Sequence, residues 1–139
     1  MDIKNKLREL GLNPDNSVVI GSGILNALNI RESEDIDIVV SIDKYESLGR
    51  DSRFKKKENH GREVLADDIF EIGTSWTVLD KDWKFDDFLD YSDVIDGVRY
   101  NTLQFLLDVK RRWIADGDIR QKDIDDVKLM ENYLREMQK

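Results

Sequence analysis

Asp35 and Asp37 stand at alternate positions of the run Asp35-Ile36-Asp37-Ile38-Val39-Val40-Ser41, whose Ile and Val content predicts a β-strand. Alternate residues of a strand share a face, so the two carboxylates are expected to project together, about 7 Å apart along the backbone. Ile36 and Ile38 then turn into the core. Like charges this close repel unless a cation lies between them. Carboxylate oxygens are hard donors suited to Mg²⁺ or Mn²⁺, ions that commonly complete their shell with substrate phosphates. Asp-Ile-Asp alone reads equally well as the solvent-facing edge of a half-buried strand.

Two further features bear on the same chemistry. Gly21-Ser22-Gly23 ends a short apolar run, Ser17-Val18-Val19-Ile20, and leads into a helix beginning at Ile24. Glycines there let a ligand approach the backbone. The free N–H groups of the helix start and the Ser22 hydroxyl suit a phosphate. The turn is neither a Walker-type loop nor a complete dinucleotide fingerprint, and tight turns of this composition often hold nothing. Lys110 falls on the apolar stripe of Leu103, Leu106, Leu107, Trp113 and Ile114 in a helix predicted over Asn101–Ala115. A lysine there either snorkels to the edge or meets a carboxylate or phosphate. In a last helix over Gln121–Met137, Asp126 lies against the stripe of Ile124, Val127, Met130, Leu134 and Met137, and is the candidate partner of Lys110. Asp123 is accounted for as a first-turn acid favoured by the helix dipole.

Taken in order, Val18-Val19-Ile20-Gly21-Ser22, a short helix and Asp35-Ile36-Asp37-Ile38 resemble the signature of the nucleotidyltransferase superfamily. That superfamily includes the minimal nucleotidyltransferases, the aminoglycoside and lincosamide nucleotidyltransferases and the polymerase β-like enzymes. Arg31-Glu32-Ser33-Glu34 looks like the loop that precedes its carboxylate pair. The resemblance implies a third carboxylate on a neighbouring strand; Glu71, framed by Phe70 and Ile72, takes that place, with Asp67 and Asp68 as alternatives. Lys110 and Lys122-Asp123-Ile124-Asp125-Asp126 are similar to a segment of small members linked with toxin–antitoxin and phage-defence pairs.

What the resemblance implies is nucleotidyl transfer. A nucleoside triphosphate would bind at Gly21 and Ser22, with Lys110 and Asp126 also at the nucleotide. Mg²⁺ or Mn²⁺ would be held by Asp35, Asp37 and Glu71. An acceptor hydroxyl, of RNA or protein, would attack the α-phosphate with help from Glu71. Members of this size act as a homodimer or beside a partner chain. The rival reading is a non-catalytic interaction protein on the same fold, such as one component of a toxin–antitoxin pair.

These residues need elements to place them. Helices are predicted over Asp2–Leu10, with Gly11 as the stop, from Ile24 to Leu28, over Asp43–Leu48 and over Trp83–Tyr91, besides the two C-terminal ones. Strands are predicted over Ser17–Ile20, Asp35–Ser41, Asp68–Thr74 and, around an Asn59-His60-Gly61 turn, over Arg53–Glu58 and Arg62–Leu65. Ser92–Tyr100 is read as an edge strand with a turn at Asp96-Gly97. Strands mixed with helices, followed by two helices, predict an α+β (mixed α/β) fold.

Length and composition narrow the field. The chain's 139 residues are read as one domain, 1–139. No cysteine is present, which excludes disulfides, zinc ribbons, iron–sulfur clusters and thiol catalysis. His60 is the single histidine, so no site rests on several imidazoles. No apolar run approaches the roughly 18 residues of a spanning helix, and a cytoplasmic, membrane-free protein is expected. Thirty acidic against 22 basic residues give a net charge of −8, which over a uniform surface would repel nucleic acid. The charge is uneven, however. Arg50, Arg53, Lys55, Lys56, Lys57 and Arg62 cluster against only Asp51 and Glu58. Within it, Arg53, Lys55, Lys56 and Lys57 are expected to flank the cleft without lining it and steer an anionic acceptor, or simply to solubilise an edge strand.

Overall fold

The computed structural model describes residues 1–118 and 120–139. Nine strands are described: β1 (Ser17–Ile20), β2 (Ile36–Val40), β3 (Lys55–Asn59), β4 (Arg62–Ala66), β5 (Phe70–Gly73), β6 (Ser75–Val78), β7 (Lys81–Lys84), β8 (Ser92–Ile95) and β9 (Val98–Asn101). Seven form one mixed sheet in the order β3-β4-β5-β2-β1-β9-β8, while β6 and β7 form a separate hairpin. The pairs β2–β5 and β1–β9 are parallel and the others antiparallel. The helices are α1 (Ile3–Glu9), α2 (Gly23–Ala27), α3 (Ile42–Leu48), α4 (Leu103–Ala115) and α5 (Gln121–Met137). The α+β expectation holds. No helix among the described residues is long and apolar enough to cross a membrane.

Alternation along the central strands divides the core. Val19, Ile36, Ile38, Val40 and Ile72 join one cluster with Ile3, Leu7, Leu107 and Met130. Val18, Ile20 and Val39 point the other way, into a second cluster with Trp83, Phe85, Phe88, Phe105 and Val109. The second cluster is aromatic: the Trp83 and Phe105 rings meet edge-on, with centroids 4.8 Å apart. Asp37 and Glu71 share the face of Val39, at the margin of that cluster.

Three two-residue turns close hairpins, and each has positive φ at both positions: His60 and Gly61, Leu79 and Asp80, Asp96 and Gly97. Such turns match the right-handed twist of paired strands and favour Gly, Asn and Asp. Leu79-Asp80 carries no glycine, and its hairpin is absent from the sequence reading for that reason. Trp83 and Lys84, expected in a helix, lie in β7, and the helix that follows is a 3₁₀ segment over Phe85–Tyr91. The expected strand starting at Asp35 begins at Ile36, which leaves Asp35 in the bend before β2. Likewise β5 is confined to Phe70–Gly73.

Gly23 sits where α2 leaves β1, and a Cβ built there would overlap the Val19 side chain. Gly23→Ala is expected to destabilise by about 1–3 kcal/mol through overpacking. A lower urea midpoint with an unchanged m-value would show it.

Candidate active site

An open cleft of about 830 Å³ crosses the sheet beside β6, α4 and α5. Its floor follows from strand register. Ile20 of β1 pairs with Asp37 of β2, which pairs with Glu71 of β5. The parallel β2–β5 pairing thus brings together two carboxylates that lie 34 positions apart in the chain. Burial, then the facing charges of Glu71 and Asp35, push the Asp37 carboxyl up to about 7, against a smaller opposing effect of Lys122. Two acids held this close, in a partly buried site, favour a proton or a cation between them.

Asp35 is exposed and does not line the cleft, although Asp37 feels its charge. Among the described residues no group of three or more His, Cys, Asp or Glu side chains is gathered in metal-holding geometry. The expected trio therefore stands as a facing pair plus a neighbour in the preceding bend. Asp67 accepts from the backbone N–H groups of Ile69 and Phe70 at 2.8 and 2.7 Å and from Arg53 Nε at 2.9 Å. Burial pushes its carboxyl up, but these bonds outweigh it and hold the group below its ordinary value. Neither Asp67 nor the exposed Asp68 lines the cleft, so of the three alternatives only Glu71 reaches it.

Gly21 has a φ of +68°, and a Cβ there would stand 3.8 Å from Asp37 Oδ2. Glycine therefore satisfies a left-handed turn and keeps the space over the carboxylate clear. Ser22 Oγ lies 3.3 Å from Ser33 Oγ, and the buried Ser33 hydroxyl donates to Asp35 O at 2.9 Å. The Gly-Ser turn is thereby tied to the loop that carries the acids. On the far side, Asn59 Nδ2 donates to Glu71 Oε1 at 2.6 Å, and Lys57 Nζ lies 3.8 Å from the same oxygen.

Lys110 does not snorkel. It is 5 % exposed, with its Nζ 2.6 Å from Asp123 Oδ1 and 3.0 Å from Asp126 Oδ2. The shorter contact is to Asp123, which the dipole reading had set aside. Asp126 also takes a bidentate pair from Arg31, at 2.7 and 2.8 Å. Burial pushes the Asp126 carboxyl up, but the bonds from Arg31 and Lys110 prevail and keep it below its ordinary value. Lys110 and Asp123 line the cleft, whereas Asp126 lies behind them. This buried network joins α4, α5 and the loop before β2.

The cleft also contains residues that the sequence reading did not assign to it: Asn59, Arg62, Trp76 and Lys122. Trp76 and Trp113 meet edge-on at 6.3 Å along its apolar wall. The His60-Gly61 turn was the usable signal for Asn59 and Arg62, since a two-residue hairpin places the flanking residues opposite each other. Nothing in the sequence placed Trp76, because its hairpin lacks a turn signature.

No family model and no curated protein sequence matches the chain. Among solved structures it is similar to the solution structure of the antibiotic-resistance factor ANT(2'')-Ia, in a work on that protein's substrate-regulated conformation dynamics. The match has a TM-score of 0.56 at 16 % identity and covers 94 % of this chain and 79 % of that one. At this identity the likeness is one of fold: the mixed sheet with its flanking helices is nucleotidyltransferase-like.

Proposed function

We propose that the chain is a metal-dependent nucleotidyltransferase that moves a nucleoside monophosphate from a nucleoside triphosphate to an acceptor hydroxyl. The observation that carries this reading is the Asp37–Glu71 pair, set face to face in an open cleft beside a glycine that keeps the approach clear. The donor set fits Mg²⁺ or Mn²⁺: two hard-oxygen ligands whose mutual repulsion a divalent ion relieves, with Asp35 adjacent. Such an ion, when bound, supplies charge neutralisation at the transferring phosphate.

The chain's own residues do the rest. Gly21 and Ser22 receive the phosphates, through a backbone without a side chain and a hydroxyl. Asn59 orients Glu71, which accepts the proton of the acceptor hydroxyl. The acceptor oxygen forms its bond to the α-phosphorus as the bond to pyrophosphate breaks. Lys110, its ammonium held between Asp123 and Asp126, braces the cleft wall, and Asp126 acts through Lys110 and Arg31 as a positioning residue. The presence of Asp35, Asp37 and Glu71 together supports catalysis over a purely interacting role.

Thermal unfolding in a panel of nucleoside triphosphates, with and without Mg²⁺, tests the reading. A triphosphate present at about a hundred times its Kd should stabilise by about 2.7 kcal/mol, and only with the metal. Transfer of label from α-labelled nucleotide to cellular acceptors should follow the same metal dependence. Absence of metal-dependent stabilisation with every triphosphate would overturn it.

A further inference from the structure

The β3–β4 hairpin carries a charge pattern that the register resolves residue by residue. Lys57 pairs with Val64, Asn59 with Arg62, and Ala66 of β4 with Glu71 of β5. By alternation, Lys55, Lys57, Asn59, Arg62 and Val64 share the face of Glu71, towards the cleft. The contacts of Lys57 and Asn59 with Glu71 agree, and Arg62 and Val64 line the cleft. Lys56, Glu58 and Glu63 share the opposite face, where Lys56 Nζ lies 4.0 Å from Glu63 Oε1 and the Tyr45 hydroxyl donates to the same oxygen. Three cations and no acid of the hairpin thus face the cleft, and both hairpin acids face away.

Arg62 is the informative member. Its Nη1 donates to Ser75 Oγ at 3.3 Å. Its Nε is buried with no hydrogen-bond partner, and the side chain makes no ion pair with a described residue. A buried guanidinium donor without an acceptor is costly, and an anionic oxygen in the cleft satisfies it. Next to Ser75 stands Trp76, half-buried on the cleft wall.

Resting on the nucleotidyl-transfer reading, we propose that this hairpin face is the acceptor's binding strip and that the acceptor is a single-stranded RNA end. Lys55, Lys57 and Arg62 meet successive phosphates, a base stacks on Trp76, and the terminal hydroxyl arrives at Glu71. A row of cations ending at an aromatic ring is the arrangement by which single strands are held without sequence preference. The net charge of −8 opposes nucleic acid over the chain as a whole, but the hairpin itself turns only cations to this face, its two acids lying on the other.

The test is binding of an end-labelled single-stranded RNA to the full chain, without nucleotide, over a salt series by fluorescence anisotropy. Each phosphate contact removed lowers the slope of log affinity against log salt by about 0.7. The double variant Lys57→Gln, Arg62→Gln should therefore flatten the slope by about 1.4 and weaken binding at low salt at least tenfold, while Lys56→Gln leaves both as in wild type. Should the double variant fail to fold, Lys55→Gln, at an exposed position, carries the test with a slope lower by about 0.7. No RNA binding by wild type, an equal effect of Lys56→Gln, or tighter binding of an acidic peptide than of RNA would overturn the proposal, the last in favour of a protein acceptor. Metal-dependent triphosphate stabilisation, measured on the same proteins, separates the two readings. If it persists while the RNA prediction fails, only the acceptor is wrong.

Discussion

Metal-free Asp37→Asn protein is expected to be more stable than wild type at neutral pH and above, and to lose the response to Mg²⁺ and triphosphate. The direction follows from linkage. Folding raises the Asp37 carboxyl from 3.8 to about 7, so the fold favours its protonated form. That contribution is complete below 3.8 and is lost as pH rises through about 7. Asn carries no such charge. The difference in unfolding free energy between variant and wild type should therefore open across this window and level off above it. A displacement of this size corresponds to on the order of 4 kcal/mol. Denaturant titrations of both proteins at a series of pH values measure it. A difference that is flat with pH would show that Asp37 is neither buried nor faced by Glu71 as described. Adding Mg²⁺ should stabilise wild type at high pH and leave Asp37→Asn where it was, since half of the donor pair is gone. A stabilising substitution that abolishes activity marks a site where the fold carries strain for function.

Lys110→Met gives the second large effect, in the opposite direction. The substitution keeps the stem and removes the ammonium from between Asp123 and Asp126, both of which are almost fully buried. A side chain that merely snorkelled would tolerate it. A buried charge network broken on one side instead leaves carboxylates uncompensated, at a cost of about 3–5 kcal/mol. Asp126 keeps its bidentate pair with Arg31, so the larger penalty falls on Asp123, whose other cation, Arg120, is mostly exposed. Adding Asp123→Asn to Lys110→Met should accordingly recover part of the loss, a coupling that a double-mutant cycle reads directly. Additive losses would place Lys110 outside the network. Because the network joins α4 and α5 to the loop before β2, its failure should also weaken triphosphate binding under conditions where the variant is folded.

Local pattern by itself determined much of this protein. Three apolar residues following Ser17 predicted β1 without error, and the Asp-x-Asp run predicted β2 to within a residue at each end, because both patterns are properties of a short segment. The last helix matched residue for residue, Gln121–Met137, since seventeen positions of stripe outweigh any one residue. Lys110 on the apolar stripe was legible for the same reason, but the stripe left a snorkel and an inward partner equally open, and only the packing of α4 on α5 decided for the partner. Strand pairing was a different matter. The resemblance implied Glu71 on a strand beside the pair, but local pattern left Asp67 and Asp68 open, and nothing in it had Arg62 and Lys57 face the cleft while Lys56 faces away. Those placements depend on register, and a shift of one residue would send each side chain to the opposite face. The same holds for Asp123. Its position in a first turn has a sufficient local explanation, and only the packing of α5 against α4 shows that it meets Lys110 at 2.6 Å. The β6–β7 hairpin is closed by Leu79 and Asp80, the leucine in a conformation its type seldom adopts, and its strands carry Val78 and Trp83 into the aromatic cluster with Phe88 and Phe105. Tertiary burial there overrides turn preference, because burying large rings outweighs the strain of the positive φ at Leu79.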